Sequence, residues 1–487
     1  MGERQVSTLS YAVRGRVLLK YFGLLCVVVS AMMSVPLAAS LLLGEYRASL
    51  PYAAAALFLA ATGALLGRTK APSDIRSNEA LVITAGIFVF TSLVATLPMM
   101  LNARLSFVDA LFEAVSGVTT TGLSALSSVE GEPRTFLFAR SWLQWSGGLG
   151  IVVLSVALLM RQGLATRRLV GEIGEKEGIL GGTRLYSRIA LKVYLALTGV
   201  GVAVLLVSGA GWFPAVVHTL SAVSTGGFSL YDGSLSGLTW AQQGAVTAFS
   251  FAGAVSLALY YHVFSRGWKG LVRDDEVKAL LSAALLMTCV LVVLMRFQEG
   301  LTWMGALRHA PLMAFSAQST TGFSTLEVSA LGPASKLALI FSMAVGGSVG
   351  STAGGMKILR LLIVLRMAQL TVLRTCLPER AVVEPRIEGQ RLESDEIERA
   401  FLVIALFAIV VAASWAPFVV MGHDPLDSLF EVVSATATVG LSTGITGPHL
   451  APFLKGVLCA DMLMGRLEIV ALLVLLYPGT WVGRRAS

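Results

Sequence analysis

A nine-residue pattern that occurs four times constrains this chain more than any other feature. It reads Ser-Gly-Val-Thr-Thr-Thr-Gly-Leu-Ser at 116–124, Ser-Ala-Val-Ser-Thr-Gly-Gly-Phe-Ser at 221–229, Ser-Ala-Gln-Ser-Thr-Thr-Gly-Phe-Ser at 316–324 and Ser-Ala-Thr-Ala-Thr-Val-Gly-Leu-Ser at 434–442. Aligned, the copies share a serine, a threonine (Thr120, Thr225, Thr320, Thr438), a glycine (Gly122, Gly227, Gly322, Gly440), then Leu or Phe, then serine. Long apolar segments flank each copy in the same order. Repetition at a steady interval means one structural unit used four times.

The solvent of those units is set by composition. With 55% hydrophobic and 14% charged residues, several apolar stretches reach the ~18–20 residues that cross a ~30 Å hydrocarbon layer. The chain reads as an all-α polytopic membrane protein. Its first apolar run, 17–43, is longer than the core of a signal peptide and a second run follows closely, so it is read as a retained helix. In that setting, four hydroxyl-rich, glycine-ended loops have a specific physical use. Glycine permits backbone angles that aim successive carbonyls the same way, and four such segments around one axis make rings of oxygen dipoles that replace the water around a monovalent cation.

Other classes find no support. Cys26, Cys289, Cys376 and Cys459 are far apart and form no CxxC pair, which suggests neither a metal site nor a disulfide framework. His218, His262, His309, His423 and His449 are equally scattered and read as structural or interfacial. No GxxxxGK[ST] loop, metal-ligand cluster or nucleophile–base pair points to an enzyme or a bound cofactor. The net charge of +8 resides in particular loops and reports topology, not nucleic acid. Arg4, Arg14, Arg16 and Lys20 precede the first span, Arg68, Lys70 and Arg76 follow the second (about 53–66), and 161–188, 266–278 and 366–399 are rich in Arg and Lys. These segments and the closing Arg484-Arg485 place both termini in the cytoplasm, with the motifs facing out.

The layout that follows is a two-helix hairpin (1–76) and four pseudo-symmetric span, pore-loop, span units around one ion pore: 77–165, 166–268, 269–370 and 371–487, ten spans in all. The outgoing spans are expected at about 81–101, 189–207, 277–295 and 401–421, and the returning spans at about 136–160, 244–264, 337–365 and 455–477. The segment before each motif is too short to span and reads as a pore helix whose C-terminus, with its partial negative charge, faces the pore. Helix-start chemistry marks two of them: Ser106 with Asp109, and Asp424 with Pro425 and Asp427. The octets Asp-Ala-Leu-Phe-Glu-Ala-Val-Ser (109–116) and Asp-Ser-Leu-Phe-Glu-Val-Val-Ser (427–434) agree at six of eight positions. Glu113 and Glu431 in them are expected to hydrogen-bond within the scaffold and not to the ion.

On these motifs the chain resembles the superfamily of potassium transporters that includes the Trk, Ktr and plant HKT proteins, most closely the Trk-type potassium-uptake pore subunit. The resemblance covers nearly the whole chain, and the extra N-terminal hairpin is a feature of the Trk branch. It implies that each unit supplies one filter strand, and that glycine at the key position in all four goes with potassium over sodium. The filter residues so implied are Thr119, Thr120, Thr121 and Gly122; Ser224, Thr225, Gly226 and Gly227; Ser319, Thr320, Thr321 and Gly322; and Ala437, Thr438, Val439 and Gly440, with K+ as the transported ion.

Two stretches bear on control of the pathway. The run 346–355 holds Gly346, Gly347, Gly350, Gly354 and Gly355 inside the third returning span. Each glycine costs a helix ~1 kcal/mol relative to alanine, so the run is expected to unwind, and Lys357 and Arg360 follow at once. Gly346, Gly350 and Gly354 also form a GxxxGxxxG face suited to close helix packing. The resemblance adds that Gly-Ser-Thr-Ala-Gly-Gly-Met-Lys (350–357) is similar to an intramembrane gate beneath the filter. In the last span, Arg466 lies between Asp461 and Glu468. A charge near the bilayer centre costs ~2.5–3.5 kcal/mol on insertion scales and marks a pathway, although pairing with either acid would serve only to hold helices together. The resemblance puts this arginine in the pore below the filter as a barrier. The run 140–150, Arg-Ser-Trp-Leu-Gln-Trp-Ser-Gly-Gly-Leu-Gly, also matches the family, its aromatics suit interfacial anchors, and it receives no ion-contact role.

The reading is a potassium-uptake pore in a bacterial-type plasma membrane. By resemblance it is a homodimer, regulated by a cytoplasmic, TrkA-like nucleotide-binding subunit that docks on the basic loops, with lipid as its remaining partner. The rivals are a sodium-permeable or cation-coupled carrier on the same fold, and a non-conducting scaffold whose glycine loops only pack helices.

Overall fold

The computed structural model describes residues 12–72, 75–159, 164–267, 269–378, 383–387 and 390–482. Arg4, Arg161, Arg380, Arg484 and Arg485, used in the charge argument, lie outside the described residues. The leading hairpin is α1 (Gly15–Leu42) and α2 (Tyr46–Gly67). Its helices meet closely because Gly23 and Gly63 leave no room for a Cβ against the opposite helix.

Four runs follow, each opening on a long helix, then a short helix, then one or more returning helices. They are α3 (Ser77–Ala103), α4 (Phe107–Val118) and α5 (Arg134–Leu159); α6 (Leu164–Val207), α7 (Trp212–Val223), α8 (Trp240–Ala254), α9 (Leu257–Arg266) and α10 (Lys269–Arg273); α11 (Asp275–Phe297), α12 (Trp303–Gln318), α13 (Pro333–Val345) and α14 (Ile358–Thr375); and α15 (Ser394–Val420), α16 (Pro425–Thr436), α17 (Pro452–Arg466), α18 (Val470–Leu476) and α19 (Pro478–Trp481). A two-stranded ribbon, β1 (Arg386–Ile387) and β2 (Gln390–Arg391), precedes α15.

Among the described residues, six helices are long and apolar enough to cross a membrane: α1, α2, α3, the Tyr186–Val207 part of α6, α11 and α15. The apolar window of α11 is only 17% buried within the protein, and Leu285, Leu286, Val293 and Phe297 stand exposed on it. A face like this needs hydrocarbon as its solvent.

Three expectations need correction. The basic segment 161–188 is not a loop from Leu164 onward, where it joins the helix α6. It lacks proline, and its Glu, Lys, Arg and Leu residues are good helix formers. At 1.5 Å per residue α6 is roughly 66 Å long, about twice the hydrocarbon thickness. The returning segments of the second and fourth copies are not unbroken spans: the second breaks at Val255 and Ser256, the fourth between Leu467 and Ile469.

The hairpin is tied to the rest by polar contacts. Glu79, at the start of α3, accepts from the Arg14 amide at 3.0 Å and from its guanidinium at 2.8 and 2.9 Å. Glu45, between α1 and α2, accepts from the Arg134 and Thr135 amides and so caps α5. The indole of Trp142 on α5 donates to the Met32 carbonyl at 2.8 Å.

Candidate functional site

The short helices α4, α7, α12 and α16 each run into one copy of the motif. Three of them start on a capping oxygen: Ser106 accepts from the Asp109 amide, Thr302 from that of Gly305, and Asp424 from those of Leu426 and Asp427. Thr302 is the cap that sequence reading missed.

All four helices end in the same way. The Thr120 amide donates to Gly117 and that of Thr121 to Ser116; Thr225 donates to Ala222 and Gly226 to Ser221; Thr320 to Ala317 and Thr321 to Ser316; Thr438 to Ala435 and Val439 to Ser434. This is the Schellman closure, which needs a left-handed residue just past the cap. Thr120, Thr225, Thr320 and Thr438 occupy it with φ of 56°, 53°, 54° and 50°. A β-branched residue in that region is a genuine outlier and costs about 1–3 kcal/mol. The same strain held at four aligned positions marks a functional segment.

Closure spends the strand amides on the helix end, and the carbonyls of Thr121, Thr321 and Val439 accept no hydrogen bond among the described residues. In the first and fourth copies the next amide, Gly122 or Gly440, donates to the motif's first serine, Ser116 or Ser434, at 3.0 and 3.1 Å. Beyond the left-handed threonine every copy alternates with the period of an extended strand. Thr121, Gly226, Thr321 and Val439 are buried, the glycines half-buried, Leu123, Phe228, Phe323 and Leu441 buried, and the last serines half-buried. The glycines and last serines of all four copies line one cavity of about 640 Å³.

The glycines also form a closed cycle. A Cβ on Gly122 would strike the Gly226 carbonyl oxygen, one on Gly227 that of Thr321, one on Gly322 that of Val439, and one on Gly440 that of Thr121, each closer than the 3.0 Å limit of real Cβ contacts. All four glycines have positive φ. Each copy thus fits against the next, and the fourth closes on the first.

A polar residue of each short helix holds its strand's exit. Glu113 accepts from the Ser124 hydroxyl and the Ala125 amide, and Glu431 from Ser442, Thr443 and Thr446. His218 shares a hydrogen bond with Ser229 at 3.1 Å, and His309 with Thr325 at 2.9 Å. The glutamates serve the scaffold as expected, and His218 and His309 do the same work. Arg140 on α5 donates to Glu113 at 2.8 Å and to Ser124 at 3.1 Å, with its guanidinium 3.8 Å from the Phe228 ring centre. It lines the cavity, a place the sequence reading did not give it.

Ion pairs stitch successive copies at the helix starts. Lys336 on α13 pairs with Asp427 on α16 at 2.6 Å, and Lys455 on α17 pairs with Asp109 on α4. Both lysines stand three residues after a helix-starting proline, Pro333 and Pro452.

On the opposite side of the strands from the cavity lies the glycine-rich run. It is unwound from Gly346 to Lys357, with positive φ at Gly346, Gly350, Gly355 and Lys357. Its amides find partners in the break of the second returning helix: Ser348 donates to Ala254, Thr352 to Gly253, and Leu257 donates to Gly350. Two interruptions satisfy each other's backbone groups, which makes non-helical chain tolerable at membrane depth. The Gly354 amide donates to Thr320 Oγ1 at 2.7 Å and that of Gly355 to the Ala437 carbonyl at 3.0 Å. A Cβ on Gly354 or Gly347 would collide with Ala437 or Ala353 respectively. Lys357 Nζ donates to the Ala353 carbonyl.

Arg466, 3% exposed, donates from Nη1 to the Thr352 carbonyl at 2.6 Å. Neither acid near it in sequence is its partner: Glu468 pairs with Arg360, and Asp461 accepts from Ser414. Its Nε and Nη2 have no partner among the described residues.

Comparison with known proteins gives these features a family. The model of a family described as TrkH, cation transport protein, matches residues 52–308 and 304–478. The TrkH potassium uptake protein of the Trk system of Halomonas elongata is 32% identical over 96% of this chain and 99% of its own length. TrkI of the same organism is 30% identical over 95% and 96%. The crystal structure of the potassium transporter TrkH from Vibrio parahaemolyticus superposes with a TM-score of 0.84 at 26% identity, covering 96% of this chain and all of that one.

Proposed function

The chain belongs to the TrkH family of cation transport proteins, and from that premise we propose that it takes up potassium through a filter built from the four motif strands. The family is one of membrane transporters, not of enzymes. The observation that carries the proposal is the cycle in which each repeat glycine seats against the preceding residue's carbonyl in the next copy, with all four glycines on one cavity. Free carbonyls around an axis replace the hydration shell of a dehydrated cation. The hydroxyls of Thr120 and Thr438, buried and without a hydrogen-bond partner among the described residues, support the same reading, since such groups are costly unless a ligand completes them.

In this reading the divisions 77–165, 166–268, 269–370 and 371–487 are the four pore units, and ten segments cross the plasma membrane with both termini cytoplasmic. The run from Gly346 to Gly355 is the gate. It stands against the strands through Thr320 and Ala437, and Arg466 latches it at Thr352 while presenting positive charge to an approaching cation. A homodimer and a cytoplasmic nucleotide-binding regulator complete the proposal.

Rubidium uptake into liposomes containing the purified protein tests it, with potassium, sodium and lithium as competitors. Potassium blocks uptake far better than sodium, and Gly122→Ser narrows that difference. Equal competition by sodium leaves a general cation pathway. Silence that persists with Arg466→Ala favours a scaffold.

A further inference from the structure

One copy of the motif lacks a side chain that the other three carry. Immediately before the repeat glycine, three copies carry a side chain, Thr121, Thr321 and Val439, and the second carries Gly226. No positive φ demands a glycine there, since Gly226 is not among the residues of left-handed backbone. What occupies the missing side chain's space is Gln144, from α5 of the preceding copy. A Cβ on Gly226 would fall within 3.0 Å of three atoms of the Gln144 amide group.

Gln144 is fully buried, and both ends of its amide are spent on this one strand. Nε2 donates to the Gly226 carbonyl, and Oε1 accepts from the Phe228 amide at 3.2 Å. The equivalent carbonyls of Thr121, Thr321 and Val439 accept no hydrogen bond among the described residues. A carboxamide that brackets Gly227 from both sides fixes the tilt of the peptide units on either side of it. The Gly226 carbonyl is also the one against which Gly122 seats, so its orientation is passed to the first copy.

We infer that Gln144 is a positioning residue for ion selection: it replaces the absent side chain at Gly226 and fixes the orientation of the second strand's peptide units on either side of Gly227. The inference rests on the filter reading above. Without the amide, the strand has neither a side chain of its own nor a borrowed one. Its carbonyl is then free to swing toward a smaller ion, and preference for the larger one falls. Because the atoms in the way belong to the end of a flexible side chain, Gly226→Ala displaces Gln144 and reproduces its loss. Conversely, Gly226→Thr combined with Gln144→Ala gives the second copy the Ser-Thr-Thr-Gly sequence already present in the third, with the Gln144 amide that a Cβ would meet removed.

The test is rubidium uptake by reconstituted full-length protein, read as the ratio of sodium to potassium concentrations that half-block it. Gln144→Ala and Gly226→Ala each lower that ratio about three- to tenfold, as the loss of one net hydrogen bond felt by one ion and not the other would do. The two together lower it no further, and Gln144→Ala with Gly226→Thr restores most of it. If Gln144→Ala does not fold, Gly226→Ala and the restoring pair carry the comparison. A ratio unchanged in Gln144→Ala or Gly226→Ala, whatever happens to yield or melting temperature, overturns the inference and leaves Gln144 a packing residue. A wild-type protein that takes up rubidium without preferring potassium overturns the filter reading itself, and with it the inference.

Discussion

Gly440 seats against the backbone carbonyl of Thr121, closer than any Cβ permits, and so closes the fourth strand on the first. The three other contacts of the cycle are equivalent, yet only this one joins segments from opposite ends of the repeat array. Gly440 also holds φ at 100°. Gly440→Ala therefore meets two penalties, a disfavoured backbone and a side chain wedged against a carbonyl. Overpacking costs about 1–3 kcal/mol and a left-handed L-residue about 1–2 kcal/mol. The variant should melt at a lower temperature in detergent and lose transport, whereas Gly444→Ala, at similar φ but with open space around it, should keep transport.

The pairs Lys336–Asp427 and Lys455–Asp109 bind each returning helix to the start of the next copy's short helix. Lys455 is 4% exposed at its side chain and Asp109 18%. Removing one partner of such a pair strands the other, at a cost of about 3–5 kcal/mol when burial is complete and less here. Lys455→Met should lower the melting temperature more than Lys278→Met, whose pair with Asp275 is exposed. Pairing Lys455→Met with Asp109→Leu should recover much of the loss.

Loosening the unwound run should open the pathway. Arg466→Ala removes the donor to Thr352, and Gly354→Ala pushes a methyl group against the Ala437 carbonyl. Both variants should raise rubidium flux in liposomes without any regulatory subunit. Flux at or below that of the unaltered protein in both would show that the run is a strut and not a gate.

Asp232, in the loop that borders the cavity, gives the protein a sensitivity to acid. Burial works to raise its carboxyl, but the Ser128 hydroxyl and the Val129 and Glu130 amides outweigh that and hold it below the ordinary carboxylate value. A depressed folded value contributes stability that is present above the unfolded value of about 3.9 and is lost as pH falls through the folded one. Asp232→Asn should consequently show a shallower fall of melting temperature than the unaltered protein on acidification below about pH 4.

Much of this architecture was legible in the chain. The fourfold motif, the caps at Ser106 and Asp424 and the unwinding at Gly346–Gly355 all follow from local rules of propensity and φ. What escaped depends on contacts between distant segments. No proline stands at the break at Val255 and Ser256, where the Gly253 and Ala254 carbonyls accept from the glycine-rich run. Gly147, Gly253 and Gly465 look like scattered helix glycines, yet each presses on the last carbonyl of a short helix, Val118, Val223 or Thr436. Arg466 stands two residues from one acid and five from another, but its partner is a carbonyl on another helix's interruption. The lysine three residues past Pro333 and Pro452 was a readable signal, since it repeats in register with Asp427 and Asp109.

The central claim is that the four strands hold the ion where their carbonyls converge. Anomalous diffraction from crystals grown in rubidium chloride tests it most directly. The account predicts an anomalous peak on the axis bounded by the carbonyls of Thr121, Gly226, Thr321 and Val439, diminished when sodium replaces rubidium. Rubidium transport by the same preparation with no peak at that level, or with density confined to a site away from the four glycines, would contradict it.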